Sequence, residues 1–301
     1  AHPGPGDGAL LLALAALWGS AFLLTKVAVG GMPPGWVTAG RLLLAAALLL
    51  PLAAWHGRLG RPHWRAWIFL GLIALLGNVL PFWLIAWGQR GIDSGLSGIL
   101  MAVMPLAVLG LAHLFVPGEG LTRRRLAGFA LGFAGVAVLL GPEVFSDQAA
   151  GEDMGAPEPL RAMLAVLGGA LCYAVSAILA RLRPAQGALA TAALVTLLAA
   201  LMALPVAVGI EPYPARAPTW VEVGALVGLG VFSTAAAAVL YFRLITEAGP
   251  SFAAQLNYLI PPWAVAMGVL FLGESPRPHH LYGLSLILAG VLIAATGGRR
   301  R

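Results

Sequence analysis

The sequence predicts an all-α membrane protein: ten transmembrane helices in two inverted five-helix repeats. Three observations carry that prediction. First, hydrophobic residues make up 60% of the chain and charged residues only 10%, against about 25% charged in a soluble domain. So few charges cannot cover a water-facing surface, which makes the chain a polytopic membrane protein. Second, ten apolar runs of roughly 20 residues follow one another, each long enough to cross a bilayer as a helix. Third, a spaced pattern occurs twice: Pro105, Glu119, Gly128 and Gly135 return as Pro261, Glu274, Gly283 and Gly290.

The spacing identifies an internal duplication. Glu to the first Gly is 9 positions in both copies (119 to 128, 274 to 283), and Gly to Gly is 7 in both. Pro to Glu is 14 positions in the first copy and 13 in the second, so the match needs one gap. Extended backwards, it aligns Trp18 with Tyr173 and Lys26 with Arg181.

The spans fall near 9–30, 34–54, 66–88, 93–116, 124–141, 160–180, 187–208, 219–242, 250–272 and 279–297. Helix breakers separate them: Gly31 to Gly35, Gly57 to Pro62, Pro117 to Gly120, Pro184 to Gly187, and Pro276 to Pro278. The first repeat is therefore expected over 9–141 and the second over 160–297, joined by a linker at 142–159. That linker holds Glu143, Asp147, Glu152, Asp153 and Glu158 and reads as an acidic, external, solvated connection. The opening AHPGPGDG lacks Met and reads as a processed end. The first span has no basic region before it and aligns with the sixth, so it reads as a membrane helix, not a signal peptide.

Arg placement predicts orientation. With the N-terminus inside, twelve Arg face the cytoplasm (58, 61, 65, 123, 124, 125, 181, 183, 243, 299, 300 and 301). Four (90, 161, 216 and 277) face out. This is the positive-inside pattern, and it places both termini in the cytoplasm. The net charge of +6 thus sets topology and gives no reason to expect nucleic acid. Five helices per half is an odd number, so the second half enters from the opposite side. Inverted repeats of this kind build secondary transporters, whose sites lie near the midplane between the halves.

Trp18-Gly19-Ser20 in the first helix, the doubled Pro-Glu-Gly-Gly spacing and the two five-helix halves resemble the EamA branch of the drug/metabolite transporter superfamily. Within it, the chain is most similar to exporters of aromatic amino acids of the YddG type. The resemblance covers residues 9–297. It implies a cavity lined by helices 1, 3, 4, 6, 8 and 9, with helices 5 and 10 to the side.

Polar and aromatic residues inside the spans are the candidate lining. Asn78 must find a partner or face a wet cavity, because an unsatisfied amide in hydrocarbon is expensive. Phe82 lies one turn further on the same face. Ser97, Met101 and Pro105 recur every four residues along helix 4. In helix 9, Asn257 aligns with Met101, and Gln255 and Tyr258 flank it. Thr234, with Ser233, occupies the part of helix 8 that aligns with Asn78. Trp18 and Tyr173 place an aromatic at the same depth of both repeats; packing or lipid contact is the alternative role for them. Trp83 and Trp263 also lie deep, whereas Trp36, Trp55, Trp64, Trp67, Trp87 and Trp220 fall at span ends. Lys26 and Arg41 sit in the outer third of their spans. They either snorkel to the interface or form a positive collar at the outer mouth for a substrate carboxylate, with Lys26 the better placed. Pro105 and Pro261 are the expected hinges, since each removes a helical hydrogen bond. Gly128, Gly132 and Gly135, with Gly283 and Gly290, form small-residue faces for close helix packing.

No carboxylate lies mid-span, and the six His are peripheral or near a helix end. Proton-coupled pumps commonly place such groups there, so the expected movement is uniport-like. A serine hydrolase at Ser97 would need a base in reach, and no His lies at that depth. No HExxH or paired metal ligands occur, so neither a cofactor nor a metal is expected. The expected partners are a small amphipathic substrate such as an amino acid, and the lipid bilayer, for a monomer or homodimer. Proton-coupled export, or a passive channel or scramblase-like conduit, are the alternatives.

Overall fold

The computed structural model describes residues 5–56, 63–116, 122–144, 156–182 and 187–296. Glu119 and most of the 142–159 linker lie outside the described residues, as do Arg58, Arg61, Arg183 and Arg299 to Arg301. The described residues contain helices and no strand.

Ten passes follow one another: α1 (Pro5–Val29), α2 (Pro34–Trp55), α3 (Trp64–Gly88), α4 (Ser94–Phe115) and α5 (Arg123–Val144) form the first repeat. The second comprises α6 (Pro159–Leu182), α7 (Ala188–Gly209), α8 (Trp220–Ala248), α9 (250–272) and α10 (Pro278–Thr296). Among the described residues, nine helices are long and apolar enough to cross a membrane. The tenth, α9, is a single turn Pro250–Ala253 followed by a shorter apolar rod Leu256–Leu272. Local chemistry sets several ends. Gly249 and Gly273 adopt φ values of +85° and +66°, a region that favours glycine, and so stop α8 and α9. Thr219 and Glu222 form a reciprocal capping box that starts α8.

The helices pack with a two-fold relation between the repeats. α1 packs on α9 and α8; its counterpart α6 packs on α4 and α3. The self-related pairs α2–α7, α4–α9 and α5–α10 lie on the axis of this relation. An inverted duplication requires this pattern, because exchanging each helix with the one five later must reproduce the contacts. Large apolar side chains such as Leu12, Phe133, Leu171, Leu201 and Phe271 stay exposed on the outside, as a lipid solvent demands. Trp55 and Trp220, at helix ends, are about as exposed as a side chain can be, at 91% and 90%. That is the position of an interfacial aromatic belt.

Two π-helical segments interrupt the bundle, Leu75–Val79 in α3 and Leu229–Ala236 in α8. With Asn78 aligned to Ser233, they occupy corresponding stretches of the two repeats, and their local settings differ. In α3, Leu80 N–H bonds the Leu75 carbonyl five residues back, and Pro81 supplies no N–H to the Gly77 carbonyl four residues before it. In α8, the Thr234 hydroxyl donates to the Leu229 carbonyl at 2.8 Å, also five residues back. π-bulges of this kind occur frequently at functional sites.

Candidate functional site

The two π segments face the interface between the repeats, and a polar cluster is built there. Arg41 of α2 is buried, at 7% exposure. Its Nε and Nη2 donate to Thr234 Oγ1 of α8 at 3.3 and 3.1 Å. Its guanidinium carbon lies 3.7 Å above the centre of the Phe82 ring of α3, a close cation–π contact. Phe82 in turn meets Tyr173 of α6 edge-on, with ring centres 6.4 Å apart. Four helices, two from each repeat, are thus joined by one chain of contacts, Thr234 to Arg41 to Phe82 to Tyr173. The head of Arg41 does not extend away from the protein as snorkelling would require; it lies inside, against an aromatic face and a hydroxyl.

Lys26 also departs from expectation. Its Nζ donates to the Gln89 and Ile92 carbonyls at 2.7 and 2.8 Å, in the connection from α3 to α4. Glu274, in the connection from α9 to α10, accepts Ser94 N–H and Gly95 N–H at 2.6 and 2.8 Å. A cation therefore sits at the C-terminal end of α3 and an anion at the N-terminus of α4, as the helix dipoles favour. Both charges hold the α3–α4 turn, and Lys26 is no free collar for a substrate. Its aligned partner Arg181 is exposed, so the repeats differ here. Asp93 lies beside them, just ahead of α4. Burial raises its carboxyl above the ordinary range and Glu274 adds to the rise, while Lys26 and Arg277 oppose it.

The other candidates separate. Asn78 is half-buried in the α3 π segment, and its side chain makes no hydrogen bond among the described residues. Trp18 packs on Tyr241 of α8 with ring centres 5.1 Å apart. The two aligned aromatics, Trp18 and Tyr173, therefore each meet an aromatic of the pseudo-equivalent helix. Met101, Tyr173 and Tyr258 each pack against a core that α1, α3, α4, α5, α6, α9 and α10 build together. Asn257 Nδ2 donates to the Ala254 carbonyl at 3.1 Å and so satisfies the break that divides α9. Ser97 does not line a cavity: it is fully buried, and its hydroxyl is spent on the Asp93 carbonyl at 3.1 Å within its own helix. The expected Ser97–Met101–Pro105 stripe is interrupted as well, because α4 breaks at Ala102 and Val103. Pro105 lies just past that break, whereas Pro261 sits inside the continuous rod of α9, beyond the turn at Ala254 and Gln255.

Three features had no place in the sequence reading. Trp83 reaches out of the span to Glu211 Oε1 at 2.6 Å. The Trp18-Gly19-Ser20 motif is a docking seat for Trp263: Ser20 Oγ accepts its indole N–H at 3.0 Å, and a Cβ on Gly19 would collide with its ring. The π segments were not foreseen either; Ser and Thr together in an apolar helix, and Pro81 in α3, are the signals that point to them. Among the described residues no three His, Cys, Asp or Glu come together as a metal set.

Ten helices in two inverted repeats, with a cationic and aromatic cluster between them, define a membrane transporter. The chain belongs to the EamA-like transporter family, whose domain matches residues 7–141 and again 160–296. It is 29% identical over 288 residues to the probable terminal-alkyne amino-acid exporter of Streptantibioticus cattleyicolor, covering 94% of this chain and 92% of that one. It is 27% identical to the inner membrane transporter YedA of Escherichia coli K12 over 95% of this chain and 90% of that one. It is 24% identical to the transporter YoaV of Bacillus subtilis over 94% of both. A solved crystal structure shares the fold with a TM-score of 0.67 at 22% identity, covering 99% of each chain.

Proposed function

We propose that this protein exports amino acids or similar small amphipathic metabolites across a bacterial inner membrane, by alternating access and in a uniport-like manner. The observation that carries the reading is the lining between the repeats. It combines aromatic side chains (Phe82, Tyr173) with a buried guanidinium, and no carboxylate ion-pairs with that guanidinium among the described residues. Such a surface suits a molecule with an apolar body and a carboxylate, and disfavours a quaternary cation, which would call for a buried acid. The exporter from Streptantibioticus cattleyicolor supports an amino-acid substrate by its name. The Arg distribution supports cytoplasmic termini.

The carboxylates of Glu222 and Glu274 hold helix starts, which supports movement down the substrate gradient. Proton-coupled export is the competing reading. In proteoliposomes, substrate efflux and counterflow should saturate, and an imposed pH gradient at clamped membrane potential should produce no accumulation above equilibrium. Accumulation that a protonophore abolishes would reject the uniport reading. Non-saturable flux without counterflow would point to a channel.

A further inference from the structure

We infer that Arg41 is the residue that binds the substrate carboxylate, with Phe82 as the wall beside it and Thr234 as the group that aims it. This deepens the proposed function and rests on it. A guanidinium has five N–H donors and keeps its charge at any working pH. Thr234 takes two of them, so 5 − 2 leaves three. No carboxylate pairs with Arg41 among the described residues. None of its nitrogens is among the buried atoms left without a hydrogen-bond partner. Nη1, which makes no hydrogen bond among the described residues, is therefore not fully enclosed. A charge buried in a membrane protein without a counter-ion is costly, and a ligand anion is what relieves that cost.

The surroundings fix the geometry. Thr234 commits its own proton to the Leu229 carbonyl, so its oxygen lone pairs face the guanidinium. That commitment exists only because α8 is π-helical there, where a side chain can reach a carbonyl five residues back. Phe82 covers one face of the guanidinium plane. The remaining edge is the one that carboxylates grip with paired hydrogen bonds. Lys26 cannot take this part, since two backbone carbonyls engage its ammonium.

The test uses three probes with one apolar body: L-phenylalanine, its C-terminal amide, and 3-phenylpropionate. The full-length protein in proteoliposomes should move or bind both acids at least about ten-fold better than the amide, the discrimination one charge-assisted hydrogen bond supplies. Arg41→Gln should remove that preference, and Arg41→Lys should restore it in part. Should Arg41→Gln lose monodispersity, Thr234→Val carries the same test, with a smaller loss of preference. A merely structural Arg41 would lower all three probes together and leave their ratio unchanged. Handling of phenylalanine and its amide alike by the parent, or an unchanged ratio in folded Arg41→Gln or Thr234→Val, would overturn the carboxylate site while sparing the amino-acid reading. Binding of 3-phenylpropionate without phenylalanine would overturn the amino-acid reading while sparing the site. Failure of all three probes overturns both.

Discussion

Gly128 of α5 and Gly290 of α10 touch backbone to backbone: a Cβ added to either would lie 2.5 Å from the other's carbonyl oxygen. Gly135 and Gly283 meet in the same way further along. The repeat aligns Gly128 with Gly283 and Gly135 with Gly290, so each glycine faces the partner of the other copy. Antiparallel helices related by a two-fold can meet only crosswise. These small-residue faces are thus consumed inside one chain. Gly128→Leu should force α5 and α10 apart, at about 1–3 kcal/mol for overpacking. It should lower the melting temperature in detergent. Gly141→Ala on the same helix meets open space and should be neutral or slightly stabilising. Equal melting temperatures for Gly128→Leu and the parent would reject the contact.

Lys26 and Glu274 pin the two ends of the α3–α4 turn from α1 and from the end of α9. Removing either charge should loosen that end of the bundle. In a background with Cys172 replaced by Ala, a Cys introduced at Ser94 should label several-fold faster with Lys26→Met than without it. Unchanged labelling would mean that the turn is held by packing alone.

Asp93 carries a testable sign. Its carboxyl stands above its ordinary value of 3.8, chiefly through burial. Ionisation therefore costs the folded protein more than the unfolded chain. That cost is absent below the unfolded value, grows as pH rises towards the folded value, and is full above it. Asp93→Asn should raise the melting temperature at about pH 7, and the gain should fade as pH falls through the carboxylate range. A loss of stability at neutral pH would show that its attraction to Lys26 dominates.

Topology can be mapped directly. Cys residues introduced at Asp147 and Asp153 should react with an impermeant reagent applied to intact cells, and those at Arg58 and Arg124 should not. The opposite pattern would invert the orientation drawn from the Arg distribution.

Alanine at Asn78, Trp18, Met101 or Asn257 should impair transport or shift substrate preference at normal expression. The largest effect is expected at Asn78, whose side-chain amide has no hydrogen-bond partner among the described residues. Transport indistinguishable from the parent in all four would place the cavity elsewhere. Ser97→Ala should leave preference unchanged, because that hydroxyl serves its own helix.

Much of the architecture was legible in the sequence because a bilayer imposes one-dimensional rules. Span length, breaker position and the odd number of helices per repeat are properties of position along the chain. They alone determined ten passes, the duplication and its inversion. The glycine spacing likewise announced a close helix contact. What the sequence could not decide was azimuth and partner. It placed Arg41 and Lys26 at similar depths and made Lys26 the better ligand. The folded chain turns Lys26 onto the Gln89 and Ile92 carbonyls and sets Arg41 over Phe82 against Thr234. The same holds for Ser97, whose depth suited a cavity but whose direction buries it. The π segments add a residue per turn and so rotate everything beyond them. Depth in a membrane is set by counting residues; which neighbour a side chain meets is set by helix rotation and crossing, and only the packed tertiary structure decides those.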